Sequence, residues 1–150
     1  MTYVPPIRPL LIAGALGQIA FELYAWLISP WLFGVTLEPA NLVMGLGKQL
    51  LGLSYGYPIA FALHVALGVV GFAALVWAAW RVLPRGWTTA GAITGVALWF
   101  IAQGFLAQIV GRDFMMGFGA YTQSSFVGHV GMTLVIAAVF ARLQGRAAVA

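Results

Sequence analysis

Residues 59–80 read IAFALHVALGVVGFAALVWAAW, with one ionisable side chain, His64. A hydrocarbon core is about 30 Å thick and a helix rises about 1.5 Å per residue, so about 20 apolar residues cross it. Residues 59–80 meet that length, and so do 10–33 before them and 88–110 and 124–142 after them. Four such blocks leave little of a 150-residue chain for anything else. The expected fold class is all-α: a polytopic membrane four-helix bundle forming a single transmembrane domain over residues 1–150.

Composition agrees. The chain is 63% hydrophobic and 7% charged, against about 45–50% and about 25% in soluble domains. With no cysteine, disulfides, thiolate chemistry and cysteine-ligated metals are excluded. The pI near 10 does not point to nucleic acid, because the basic residues are scattered and sit at the ends of the apolar blocks. Arg8, Arg81, Arg85, Arg142 and Arg146 fall on one side of the four crossings, whereas Lys48 and Arg112 fall on the other beside Glu38 and Asp113. The positive-inside rule then expects a bacterial inner-membrane protein with both termini cytoplasmic. The first block lacks the small-residue cleavage site of a signal peptide and is expected to be a retained anchor.

Between the blocks, prolines and glycines mark the ends. Pro5 and Pro6 start extended, and Pro9 suits the first turn of a helix. Gly34 ends the first span and Gly111 the third, and Leu83-Pro84-Arg85-Gly86 makes a tight inner turn. Residues 37–53 are too short to cross. There Glu38-Pro39 suits a helix start, and Leu42, Val43, Leu46, Leu50 and Leu53 recur at helical spacing. A short amphipathic helix on the outer interface is expected, followed by Tyr55 and Tyr57 at the level of an aromatic belt. Trp26, Trp31, Trp77, Trp80 and Trp87 near span ends read as interface anchors, with Trp99 deeper. The outer loop Gly111–Gly119 sets Phe114, Met115, Met116 and Phe118 among glycines, which suits a dip into the interface or contact with another protein.

The halves resemble each other. An offset of 77 carries Ala13-Gly14-Ala15 onto Ala90-Gly91-Ala92 and Gly34 onto Gly111; an offset of 65 carries Phe61-x-x-His64-Val65 onto Phe126-x-x-His129-Val130. A duplication would make a parallel repeat about an axis normal to the membrane.

Few polar groups lie within the spans: Gln18, Glu22, His64, Gln103, Gln108 and His129. Each is costly in hydrocarbon and is expected to face the bundle interior with a partner. His64 and His129 sit at about the same depth, roughly 8 Å below the outer boundary, on helices running in the same direction. Two roles fit them. They hold helices together by hydrogen bonds, with Glu22 or Gln103 as partners, at about 0.6 kcal/mol each, or they ligate haem b axially within the bundle, with Gly68, Gly128 and Gly131 admitting the porphyrin. A metal site from His64, His129 and Glu22 has suitable ligand types, but Glu22 reads one to two turns too deep. Glu22 and Gln103 are also candidate polar contacts for a lipid, quinone or pigment. The inner halves lack the ionisable chain of a pump and the wide polar lining of a channel. Gly91-x-x-x-Gly95 is a small-residue helix contact.

Leu83-Pro84, Gly95-Val96-Ala97-Leu98-Trp99, Phe114-Met115-Met116-Gly117-Phe118-Gly119 and Ser125-Phe126-Val127-Gly128-His129-Val130-Gly131, with His64 and Gly68 in the second span, resemble the YagU-like bacterial inner-membrane proteins of unknown function. Thr133 stands where that pattern has a glycine four residues after the second histidine. The resemblance implies four spans, an inner-membrane location and a role for the histidines, and it implies no activity. The expected function is a non-catalytic accessory or assembly subunit, with membrane lipids and other membrane protein subunits as partners. A haem b electron carrier and a ligand-binding module are the alternatives.

Overall fold

The computed structural model describes residues 6–83 and 86–147, with side chains through Gln144. Pro5, Pro84, Arg85 and the side chain of Arg146, which carried expectations above, lie outside the described residues. Five helices form: α1 Ile7–Phe33, α2 Pro39–Leu51, α3 Tyr57–Val82, α4 Gly86–Ile109 and α5 Ala120–Ala147. No strand occurs among the described residues. Helices α1, α3, α4 and α5 are long and apolar enough to cross a membrane, and only 28% to 39% of each apolar stretch is buried inside the molecule. Many of the remaining side chains, such as Leu27, Ile59 and Ile93, face outward, an arrangement that hydrocarbon accommodates and water does not.

Helix ends follow local chemistry. Gly34 and Gly111 close α1 and the turn after α4 in the left-handed conformation, at φ 69° and 80°, which glycine adopts without a Cβ clash. Pro39 opens α2 at its first position, where Asn41 Nδ2 donates to Glu38 Oε2 at 2.7 Å. Helix α5 starts at Ala120, four residues before its apolar block. Its polar first turn is satisfied internally: the Thr122 hydroxyl donates to Met115 O, and Gln123 N donates to Gly119 O at 3.2 Å.

The spans pack in a ring. Helix α5 lies between α1 and α4, and α3 closes the ring by touching α1 and α4. Close approach needs small residues. A Cβ built on Gly14 would stand 1.9 Å from Val69 O on α3, and one on Gly91 would stand 2.9 Å from Thr133 O on α5. The first half-pair and the second thus use the repeat-related glycines Gly14 and Gly91 for the same purpose.

Helices α3 and α4 pack together along Ala73–Val82 and Gly86–Phe100, on the side of the bundle that holds the termini. There Trp80 stacks on Trp87 at 4.1 Å, and Trp87 packs on Phe140 at 4.6 Å. On the long-loop side α2 packs over the first turns of α3 and reaches the end of α4, where Gly45 meets Val110. Tyr55 secures it by donating to Val43 O at 2.8 Å. The amphipathic segment therefore roofs the space between α3 and α4.

Candidate functional site

Three spans carry a π-turn: Tyr24–Ile28 in α1, Leu67–Phe72 in α3 and Ile101–Leu106 in α4. Such a turn adds a residue to the helical circuit and re-aims the side chains beside it, and it is frequent at functional sites. The offset of 77 that relates Gly14 to Gly91 carries Tyr24–Ile28 onto 101–105, inside the α4 turn. Four of the intramembrane polar residues lie in these turns or in the helix just before them. Gln18 and Glu22 precede the first, His64 precedes the second and Gln103 lies in the third.

Gln18, Glu22 and His64 meet. Gln18 Nε2 donates to Glu22 Oε1 at 2.7 Å and lies 3.1 Å from His64 Nε2, which is itself 3.3 Å from Glu22 Oε1. Trp26 Nε1 donates to Glu22 Oε2 at 3.0 Å, so this tryptophan has a polar partner within the span besides its place near the interface. Gly68 makes room, since a Cβ there would lie 1.7 Å from Gln18 Oε1. Glu22 is thus a partner of His64, one of the two expected for the histidines, and the depth argument that set it one to two turns too deep for a site with His64 is corrected. It took the helix ends as level, but α1 runs eleven residues beyond Glu22 to Phe33, whereas α3 has only seven between its start at Tyr57 and His64. Helix α1 therefore projects about one turn further toward the long-loop side.

A second cluster joins α4 to α5. Gln103 Nε2 donates to Ser125 Oγ at 3.0 Å, and His129 Nδ1 lies 2.8 Å from Ser125 O. Phe21 packs against both imidazoles, at 5.6 Å from the His64 ring and 6.2 Å from His129, and Phe72 lies 6.1 Å from His129. Among the described residues no three His, Asp or Glu side chains gather as a metal site. Gln108 turns back on its own helix, donating to Gly104 O.

Between the two clusters lies a cavity of about 160 Å³. Leu42, Val43 and Leu46 of α2 roof it, together with Leu37 and Pro39. Leu67 and Phe72 of α3 and Leu98, Ile101 and Leu106 of α4 supply apolar wall. Its polar lining is His64, Gln103, Tyr121, Ser125 and His129. Gln103 is 5% exposed and its Oε1 is buried with no partner among the described residues. Buried polar atoms are nearly always hydrogen-bonded, so an orphan calls for an explanation. Glu22 does not line the cavity and reaches it only through His64.

Sequence reasoning missed Ser125, which links Gln103 to His129, and missed the π-turns. It also missed a polar tie nearer the long-loop end, where Ser29 Oγ lies 2.6 Å from Ser124 Oγ and Tyr24 Oη 2.9 Å from it. The paired serines Ser124-Ser125 at the start of an apolar block were the available signal.

Fold and site together define a multi-pass helical membrane protein with a partly open cavity of mixed polarity beneath an amphipathic helix. No family model matches the chain, and comparison with curated proteins and with solved structures finds no match.

Proposed function

We propose that this chain is a non-catalytic binding protein of the bacterial inner membrane, both termini cytoplasmic, that holds a lipid-borne molecule by a single oxygen-bearing ring in the cavity under α2. One observation carries this: a cavity of about 160 Å³, mostly hydrocarbon-lined, at which polar side chains of two helix pairs meet, among them His64, Gln103 and His129. An apolar cavity of about 150 Å³ takes up benzene, so the space suits one six-membered ring. A purely aliphatic tail would set the polar lining of His64, Tyr121, Ser125 and His129 against hydrocarbon. The distribution of basic residues supports the orientation, and the YagU-like resemblance supports the location.

Haem ligation by His64 and His129 would require His64 Nε2 to leave Gln18 and Glu22, and a space far larger than one ring. An accessory-subunit role has no comparable residue-level support, because apolar flanks such as Phe114 and Phe118 meet lipid or a partner equally well.

The test is solvent extraction of protein purified from its membrane in mild detergent, with mass spectrometry of the extract. A ring-headed lipid near one per chain, absent from Ala102→Phe, which fills the cavity, is the expected result. Bulk phospholipid alone, or a Soret band in the absorption spectrum of the purified protein, would overturn the proposal.

A further inference from the structure

A cavity of about 160 Å³ has room for one ring, so the rest of a lipid-borne molecule must lie outside it. Its walls differ in what they let through. Among the residues that line the cavity, Leu67 and Ile101 alone are exposed, at 55% and 45%, and the others are buried or half-buried. The two stand on different helices, Leu67 on α3 and Ile101 on α4, and each is the first residue of a π-turn.

Helix packing puts the opening there. Helices α3 and α4 pack together along Ala73–Val82 and Gly86–Phe100, on the terminal side of both π-turns. Beyond the turns α2 takes over, packing on Tyr57–Ala66 of α3 and on Ala107–Ile109 of α4. The mouth is therefore framed by the α3–α4 contact on one side and by α2 on the other, with Leu67 and Ile101 as its two edges. Leu67 lies ten residues from the start of α3 and Ile101 eight from the end of α4, or about 15 and 12 Å along the helices. In a hydrocarbon core about 30 Å thick, the mouth faces acyl chains.

The roof offers no comparable route. Leu42, Val43 and Leu46 of α2 cover the cavity, and Tyr55 donates to Val43 O at 2.8 Å. A Cβ on Gly45 would stand 2.7 Å from Val110 Cγ1, so α2 sits close on the end of α4. A tail leaving this way would displace those contacts and carry its methylenes toward water, at a cost that grows with each one. At the side it stays in hydrocarbon against leucine and isoleucine.

We propose that the opening between Leu67 and Ile101 is a lateral portal: the ring enters and leaves the cavity from the bilayer, and the tail of the bound lipid lies out between α3 and α4. The proposal rests on the ring-binding function above and adds the route of the ligand and the place of its tail.

The chain has no cysteine, so Leu67→Cys, Ile101→Cys and Leu46→Cys each carry one nitroxide label, the first two at the mouth and the third at the roof. Ile93→Cys, 48% exposed and away from the cavity, is the lipid-facing control. Electron paramagnetic resonance of the labelled full-length protein in phosphatidylcholine vesicles reads collisions with dissolved oxygen, with phenol or 4-dodecylphenol added. The expected result is a loss of collisions at 67 and 101, and none at 93, with 4-dodecylphenol but not with phenol. Ala102→Phe, which fills the cavity, should abolish that loss. A loss at 46 and none at 67 or 101 would send the tail through the roof, overturning the portal and leaving ring binding standing. So would an unchanged signal at all three positions while calorimetry of the unlabelled protein, against protein-free vesicles, shows 4-dodecylphenol bound. Calorimetry that finds neither compound bound would overturn the ring-binding function and the portal with it.

Discussion

At Gly68 the missing side chain seats the Gln18 amide, since a Cβ there would stand 1.7 Å from Gln18 Oε1. That atom is the end of a flexible side chain, so it swings away and the helices stay in place. Gly68→Ala is expected to break the Gln18 bonds to Glu22 and His64 and to lower stability by about 1–2 kcal/mol, the range of interhelical hydrogen bonds in membranes. Thermal unfolding in detergent measures this. Added to Gln18→Leu, which has already removed the amide, Gly68→Ala should cost little more, and the double-mutant cycle reads that coupling. Membrane-embedded polar side chains were legible in the sequence because so few exist: Gln18, Glu22, His64, Gln103 and His129 were all singled out. Glu22 and Gln103 were legible as candidate partners of the histidines, but which contacts form, and that Gln18 and Ser125 join them, were not, because hydrogen bonding depends on helix height and rotation, and a helix's own sequence sets neither.

Among the elements, the turn between α4 and α5 departs furthest from what its residues prefer. Met115, Met116, Gly117 and Phe118 all take positive φ, at 52°, 50°, 64° and 57°. For residues with a Cβ this conformation costs roughly 1–2 kcal/mol each, and the surroundings hold it. Met115 is buried with its carbonyl accepting from Thr122, Met116 N donates to Asp113 O at 2.9 Å, and Gln123 Nε2 donates to Phe118 O at 3.2 Å. Met116→Gly should therefore stabilise the protein by about 0.5–1 kcal/mol, and Gly117→Ala should destabilise it by about 1 kcal/mol. Melting temperatures that move the other way would show the turn to be relaxed. Glycine spacing announced a loop here, but the handedness comes from α5 capturing the Met115 carbonyl. The amphipathic period of 37–53 likewise announced α2, and its place as the roof of a cavity followed from Gly45 meeting Val110 across more than sixty residues.

For the whole molecule, four crossings put residues 123 and 144 on opposite faces of the membrane. Because the chain has no cysteine, Gln123→Cys and Gln144→Cys each supply a unique thiol. With cytoplasmic termini, a membrane-impermeant maleimide should label position 123 in spheroplasts and position 144 only after lysis; the reverse pattern would invert the orientation. The repeat also operates at this scale. One offset relates Gly14 to Gly91, Gly34 to Gly111 and the π-turn of α1 to that of α4, yet α5 carries no counterpart of the π-turn in α3. The sequence by itself determined that the chain enters a membrane, how many times it crosses and where most helices end, because each depends on transfer free energies summed over adjacent residues or on one residue's backbone preference. Only the tertiary structure decided that Glu22 meets His64, that Phe21 touches both histidines and that a cavity opens beneath α2. Those outcomes depend on how far helices slide and rotate against one another, which is set by small-residue contacts between segments distant along the chain.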